Sequence, residues 1–69
     1  MNYLVIEIQT SAAGTTSAIV NTYQDKAAAE SKFHTILASA SVSNVPVHSA
    51  TIITDEGFTI KYECYKHSV

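Results

Sequence analysis

The side chains that could do chemistry here are one cysteine, three histidines, six carboxylates and a hydroxyl-rich loop. Cys64 and His67 are spaced C-x-x-H, and His34 and His48 would complete a set of metal ligands. Zinc sites pair their ligands at tight spacing on turns. Cys64 instead falls in a strand-like run, where residues three apart point to opposite faces. It reads as a small buried hydrophobe, and no metal is expected. A cysteine nucleophile needs a histidine within hydrogen-bond reach. Nothing in the chain orients His34 or His48 that way: His34 reads as a solvated helix residue and His48 as a partly buried sheet residue. Glu7 and Glu63 could form an acid–base pair. Lys61 lies two residues from Glu63 on the same face, however, and opposite charges meeting across a sheet face are ordinary stabilisers. No catalytic residue and no cofactor emerges, so the expectation is a protein that is not an enzyme.

A binding role has more material. The segment Thr10-Ser11-Ala12-Ala13-Gly14-Thr15-Thr16-Ser17 offers hydroxyls and free backbone N–H groups. Those are the donors that cradle phosphate when a loop curls into a nest. It has no lysine of the P-loop kind and does not open a helix, so it is no Walker motif. Tyr3, Tyr23, Tyr62 and Tyr65 supply flat surfaces that stack on a base or fill an interface.

Charge narrows the partners. The chain has 69 residues, 46% hydrophobic and 14% charged, with four lysines, no arginine and a net charge of −2. A nucleic-acid binder neutralises phosphates with clustered Lys and Arg. Lys26 and Lys32 lie in one segment and Lys61 and Lys66 in another, so no basic stripe results. Six carboxylates are too few for an acidic mimic of DNA. No run approaches the ~18 apolar residues of a membrane span. The start, Met1-Asn2-Tyr3-Leu4, lacks the basic region of a signal peptide. With Cys64 unable to form an internal disulfide, a reducing cytosol is the expected compartment. Eight serines and eight threonines occupy much of the surface that charges usually hold. Small cores barely offset chain entropy, and low surface charge eases association. A homo-oligomer is therefore expected.

The elements that must position these residues follow from periodicity. Residues 3–9 alternate Leu4, Ile6 and Ile8 with Val5, Glu7 and Gln9, the period of a half-buried strand. Residues 17–24 read as a second strand whose inward face stays ambiguous between Ala18/Val20/Thr22 and Ile19/Tyr23. Asp25 is an N-cap for a helix over 26–41. Ala29, Phe33, Ile36, Leu37 and Ala40 form its apolar stripe. The Val45-Pro46 step favours extended chain, so the helix has ended before it. Strands over 47–54 and 58–66 flank the Asp55-Glu56-Gly57 turn. The order ββαββ predicts an α+β fold, a two-layer sandwich in which one helix covers one face of a four-stranded antiparallel sheet.

The uncovered face is then the functional surface. With Leu4/Ile6/Ile8 and Phe58/Ile60/Tyr62 assigned to the helix side, it would carry Val5, Glu7, Gln9, Lys61, Glu63 and Tyr65, with either Val47/Ile53 or His48/Ile52 from the third strand. Val5, Glu7, Gln9 and Ile53 are the predicted subunit interface. On that assignment Val5→Asp breaks the oligomer. The last residues, Lys66 to Val69, are expected to form a mobile tail.

The strings Tyr3-Leu4-Val5-Ile6-Glu7-Ile8-Gln9-Thr10, Pro46-Val47-His48-Ser49-Ala50, Glu56-Gly57-Phe58 and Glu63-Cys64-Tyr65-Lys66-His67 resemble a group of small phage and prophage proteins of anaerobic gut bacteria. The similarity spans most of the chain, and the group lends no functional residue. It implies a bacterial host cytosol and an anti-defence role. Among small phage proteins, one class that resembles this chain in size and self-assembly is the oligomeric sponge that sequesters nucleotide immune signals. The expectation is such a non-enzymatic sponge. Thr15, Thr16 and Ser17 would donate to phosphate, Lys61 would supply charge, and Tyr23 or Tyr65 would stack on the base. Lys61→Ala should abolish sequestration. The alternatives are a protein–protein inhibitor of a host defence enzyme and a structural or assembly accessory of the virion.

Overall fold

The computed structural model describes residues 1–67. In chain order it contains β1 (Tyr3–Thr10), β2 (Thr16–Tyr23), α1 (Lys26–Ser41), β3 (Val47–Thr54) and β4 (Thr59–Lys66). The strands form one antiparallel sheet in the order β2-β1-β3-β4, with α1 on one face. This is the expected α+β architecture. The two hairpins meet through β1 and β3, which become the central strands.

Local chemistry explains each boundary. Asp25 sits in extended backbone, and its Oδ1 accepts from the Ala27 N–H at 3.2 Å, which satisfies an orphan donor of the first helical turn. At the far end the Val42 and Ser43 N–H groups donate to the Ser39 and Ala40 carbonyls and close the helix. The β1–β2 and β3–β4 connections each place a glycine at positive φ, Gly14 at 87° and Gly57 at 88°. Side chains with a Cβ are disfavoured there. Thr54 organises the second hairpin. Its Oγ1 accepts from the N–H groups of Glu56 and Phe58, while its own N–H donates to the Phe58 carbonyl.

The core lies between α1 and the central strands. Val5, Ala29, Phe33, Ile36, Ala50 and Ile52 are buried together, with Tyr3, Tyr23, Leu37 and Ile60 packed against them. The helical stripe is therefore the predicted one. The face of β1 is the reverse of the prediction. Val5 is 0% exposed beneath the helix, opposite Ile52 of β3, so the helix side of β1 carries Tyr3, Val5, Glu7 and Gln9. Leu4, Ile6 and Ile8 point to the uncovered side. The cause is register. Strand side chains alternate with period two, so pairing Val5 with Ile52 and Glu7 with Ala50 fixes every other residue. Small Ala50 lets the helix approach, and β1 supplies the residues that share its face.

Candidate functional site

Register assigns the two faces completely. On the helix side, β2 presents Ser17, Ile19, Asn21 and Tyr23, and β4 presents Lys61, Glu63 and Tyr65. On the uncovered side lie Leu4, Ile6, Ile8 and Thr10 of β1, Thr16, Ala18, Val20 and Thr22 of β2, Val47, Ser49, Thr51 and Ile53 of β3, and Thr59, Tyr62 and Cys64 of β4. This face has an aliphatic centre of Leu4, Ile6, Ile8, Val20 and Ile53, bordered by serine and threonine hydroxyls. Its one charged residue is Lys66, opposite Val47 at a corner. The expected mixed face of Val5, Glu7, Gln9, Lys61, Glu63 and Tyr65 is thus corrected. Of the predicted interface residues Val5, Glu7, Gln9 and Ile53, only Ile53 lies on the open side.

Four strands about 4.8 Å apart, each rising about 3.3 Å per residue, give that face a projected area on the order of 500 Å². Val20 is 53% exposed and Tyr62 62%. The neighbouring Cys64 thiol holds the Tyr62 phenol above its ordinary value, chiefly through hydrogen bonding and then charge repulsion. Cys64 is half-buried on this open side, not a core hydrophobe. Phe58 lies outside β4, in the turn, and is 71% exposed, so it does not contribute to the core.

The helix side holds a polar group that periodicity did not reveal. His48 is 4% exposed, and its Nε2 lies 2.7 Å from Glu7 Oε2. Gln9 Nε2 donates to the same oxygen at 3.1 Å. The His48 Nδ1 has no partner among the described residues. Gln9 and His48 are directly opposed on adjacent strands, which brings the three side chains together. A polar His48 beside Ala50 in an alternating strand was the available signal. It needed the β1–β3 register before Glu7 could be named as its partner.

The predicted ligand residues are dispersed within one chain. Thr15 precedes β2, and Thr16 and Ser17 open it on opposite faces of the sheet, Ser17 on the helix side and Thr16 beside Thr10 on the open side. Tyr23 lies at the other end of the same strand, half-buried against the core. Lys61 and Tyr65 are on β4, across the full sheet, about 14 Å from β2 at ordinary strand spacing. The Lys61 Nζ sits 3.1 Å from Glu30 on the helix, so its partner is Glu30 and not Glu63. That ammonium holds the Glu30 carboxyl below its usual range, first by hydrogen bonding and then by charge attraction. The Tyr65 ring stacks on His67 at 6.3 Å.

The hydroxyl-rich loop uses part of its own donor set. The Ser11 N–H donates to the Thr15 carbonyl, the Gly14 N–H to the Ser11 carbonyl, and the Thr15 N–H to Ser11 Oγ. The Thr10 and Thr16 hydroxyls are 2.9 Å apart across the loop mouth. His67 is docked rather than free: its N–H donates to the Pro46 carbonyl, and its ring Nε2 lies 2.8 Å from the Ala40 carbonyl. The rest of the expected tail, Ser68 and Val69, lies outside the described residues. Among the described residues no helix is long and apolar enough to cross a membrane. No family model, curated protein or solved structure matches the chain.

Proposed function

We propose that the protein is a non-enzymatic phage anti-defence protein that works as a homo-oligomer and sequesters a nucleotide-derived signalling molecule. The observation that carries the oligomer is the uncovered sheet face, which has an aliphatic centre and is free of charge but for corner Lys66. The largest apolar patch of a typical monomer is about 300–600 Å² and is often functional. A second copy of the same chain is the partner always present at matching concentration. The nucleotide part rests on the resemblance to phage proteins and on the exposed Thr15, Thr16 and Ser17 hydroxyls. In this reading those hydroxyls donate to phosphate, Tyr23 or Tyr65 stacks on the base, and Lys61 exchanges Glu30 for the anion.

Native mass spectrometry tests both parts, on protein purified from cells with active nucleotide immune signalling. The expected result is an oligomer carrying excess mass that denaturation releases and that Thr15→Ala or Lys61→Ala diminishes. A clean oligomer without added mass would overturn sequestration and favour a structural role or inhibition of a host enzyme. A monomer would overturn the oligomer as well.

A further inference from the structure

The sheet has two edges, and they differ in kind. β4 carries Lys61, Glu63 and Lys66 and has a register irregularity at Ile52/Ile53. Charges and bulges are the devices that keep an edge from pairing. β2 reads Thr-Ser-Ala-Ile-Val-Asn-Thr-Tyr, with no charge, proline or glycine. Ile19 and Val20 at its centre are each 53% exposed.

The hydrogen-bond phase shows which β2 groups are free. The Ser11 N–H donates to the Thr15 carbonyl, which marks the odd-numbered residues of β2 as those bonded to β1. The Asp55 N–H donates to the Asn2 carbonyl on the other side, which directs the even-numbered residues of β1 to β3 and agrees with that phase. The backbone N–H and C=O groups of Thr16, Ala18, Val20 and Thr22 therefore point outward from the sheet.

We infer that β2 pairs antiparallel with β2 of a second copy, about a two-fold axis between the two Ile19 residues. This deepens the homo-oligomeric reading above and rests on it. Directly opposed residues in such a ladder share a face, so the register must pair odd with odd and even with even. With Ile19 on the axis, Ala18 pairs with the partner's Val20 and Thr16 with the partner's Thr22. Every outward-facing residue of β2 is then bonded. Moving the axis to Val20 leaves Thr16 pairing beyond the strand. The two four-stranded sheets become one of eight, with both helices on the same side.

Two consequences follow from this pairing. Thr15 and Tyr23 are roughly 26 Å apart along one strand, but each lies beside the other copy's counterpart across the axis. Ser17 likewise comes opposite the partner's Asn21. Each dimer so gains two equivalent clusters of hydroxyls next to a tyrosine, incomplete in either chain alone. The open faces also join into one continuous surface with a projected area of about 1,000 Å².

The test is cross-linking and mass. Facing residues at a non-hydrogen-bonded antiparallel position have Cα atoms about 4.5 Å apart, within disulfide range. Ile19→Cys in a Cys64→Ser background should form a covalent dimer on mild oxidation. Ile19→Lys, a change at a half-exposed position away from the open face, should halve the mass measured by light scattering while its circular dichroism stays native. An oligomer whose mass is unchanged by Ile19→Lys, and in which Ile19→Cys does not cross-link, would overturn edge pairing and leave the homo-oligomer standing. A wild-type chain that stays monomeric at every concentration would overturn both.

Discussion

At the residue scale, the consequential group is the buried cluster of His48, Glu7 and Gln9. Removing one member of a buried hydrogen-bonded pair leaves the other desolvated, at a cost of about 1–3 kcal/mol. His48 is nearly fully buried and Glu7 largely so. His48→Ala should therefore lower stability by about that amount in urea denaturation. Replacing both members with apolar residues, as in Glu7→Leu/His48→Leu, should cost less than the sum of the single changes. The Lys61–Glu30 pair behaves differently, because the side chains are 40% and 32% exposed and solvent screens them. Glu30 has a lowered folded pKa, so its contribution is present above the unfolded carboxylate value and fades as pH falls through the lowered one. Lys61→Ala should move the Glu30 midpoint upward in an NMR titration with little change in melting temperature. These pairs were only half legible in the sequence. Glu7, His48, Lys61 and Glu63 stood out as chemistry-bearing residues, but their partners depend on which strands lie side by side.

At the scale of elements, the turns and caps are the parts that sequence states most directly. Gly57 stands at φ 88° with open space where a Cβ would go, so only backbone strain opposes a side chain. Gly57→Ala should cost about 1 kcal/mol, and Gly57→Asn less, since Asn tolerates the left-handed region better. Asp25→Ala removes the acceptor for the Ala27 N–H and should cost about 1 kcal/mol by thermal or urea unfolding. The helix stripe of Ala29, Phe33, Ile36 and Ala40 was visible because helical spacing admits a single apolar face here. β1 was not decided that way, since Leu4/Ile6/Ile8 and Tyr3/Val5 are both apolar enough to pack. Alternation identifies a strand without saying which side the helix takes.

At the scale of the whole molecule, the reversal of β1 separates two substitutions that look alike in sequence. Val5 is fully enclosed beneath α1, so Val5→Asp buries a charge in the core and should unfold the single chain. Ile6 faces away from the helix, on the open side between Val20 and Thr51. Ile6→Asp should leave circular dichroism near native while lowering the mass seen by light scattering. If Ile6→Asp unfolds the chain and Val5→Asp does not, the assignment of the two faces is wrong. Were both variants folded and oligomeric, the open face would not be the interface.

By itself the sequence determined the elements, their order and the α+β class, because capping, turn residues and apolar period act over a few neighbouring residues. It also determined the low charge that leaves a face and an edge without repulsion. Only the tertiary structure decided the order β2-β1-β3-β4, the side of the sheet that α1 covers, and therefore the residues left open. The physical reason is that strand register has a period of two. One long-range pairing, Val5 with Ile52, sets the direction of every side chain on both central strands. No local preference carries that information.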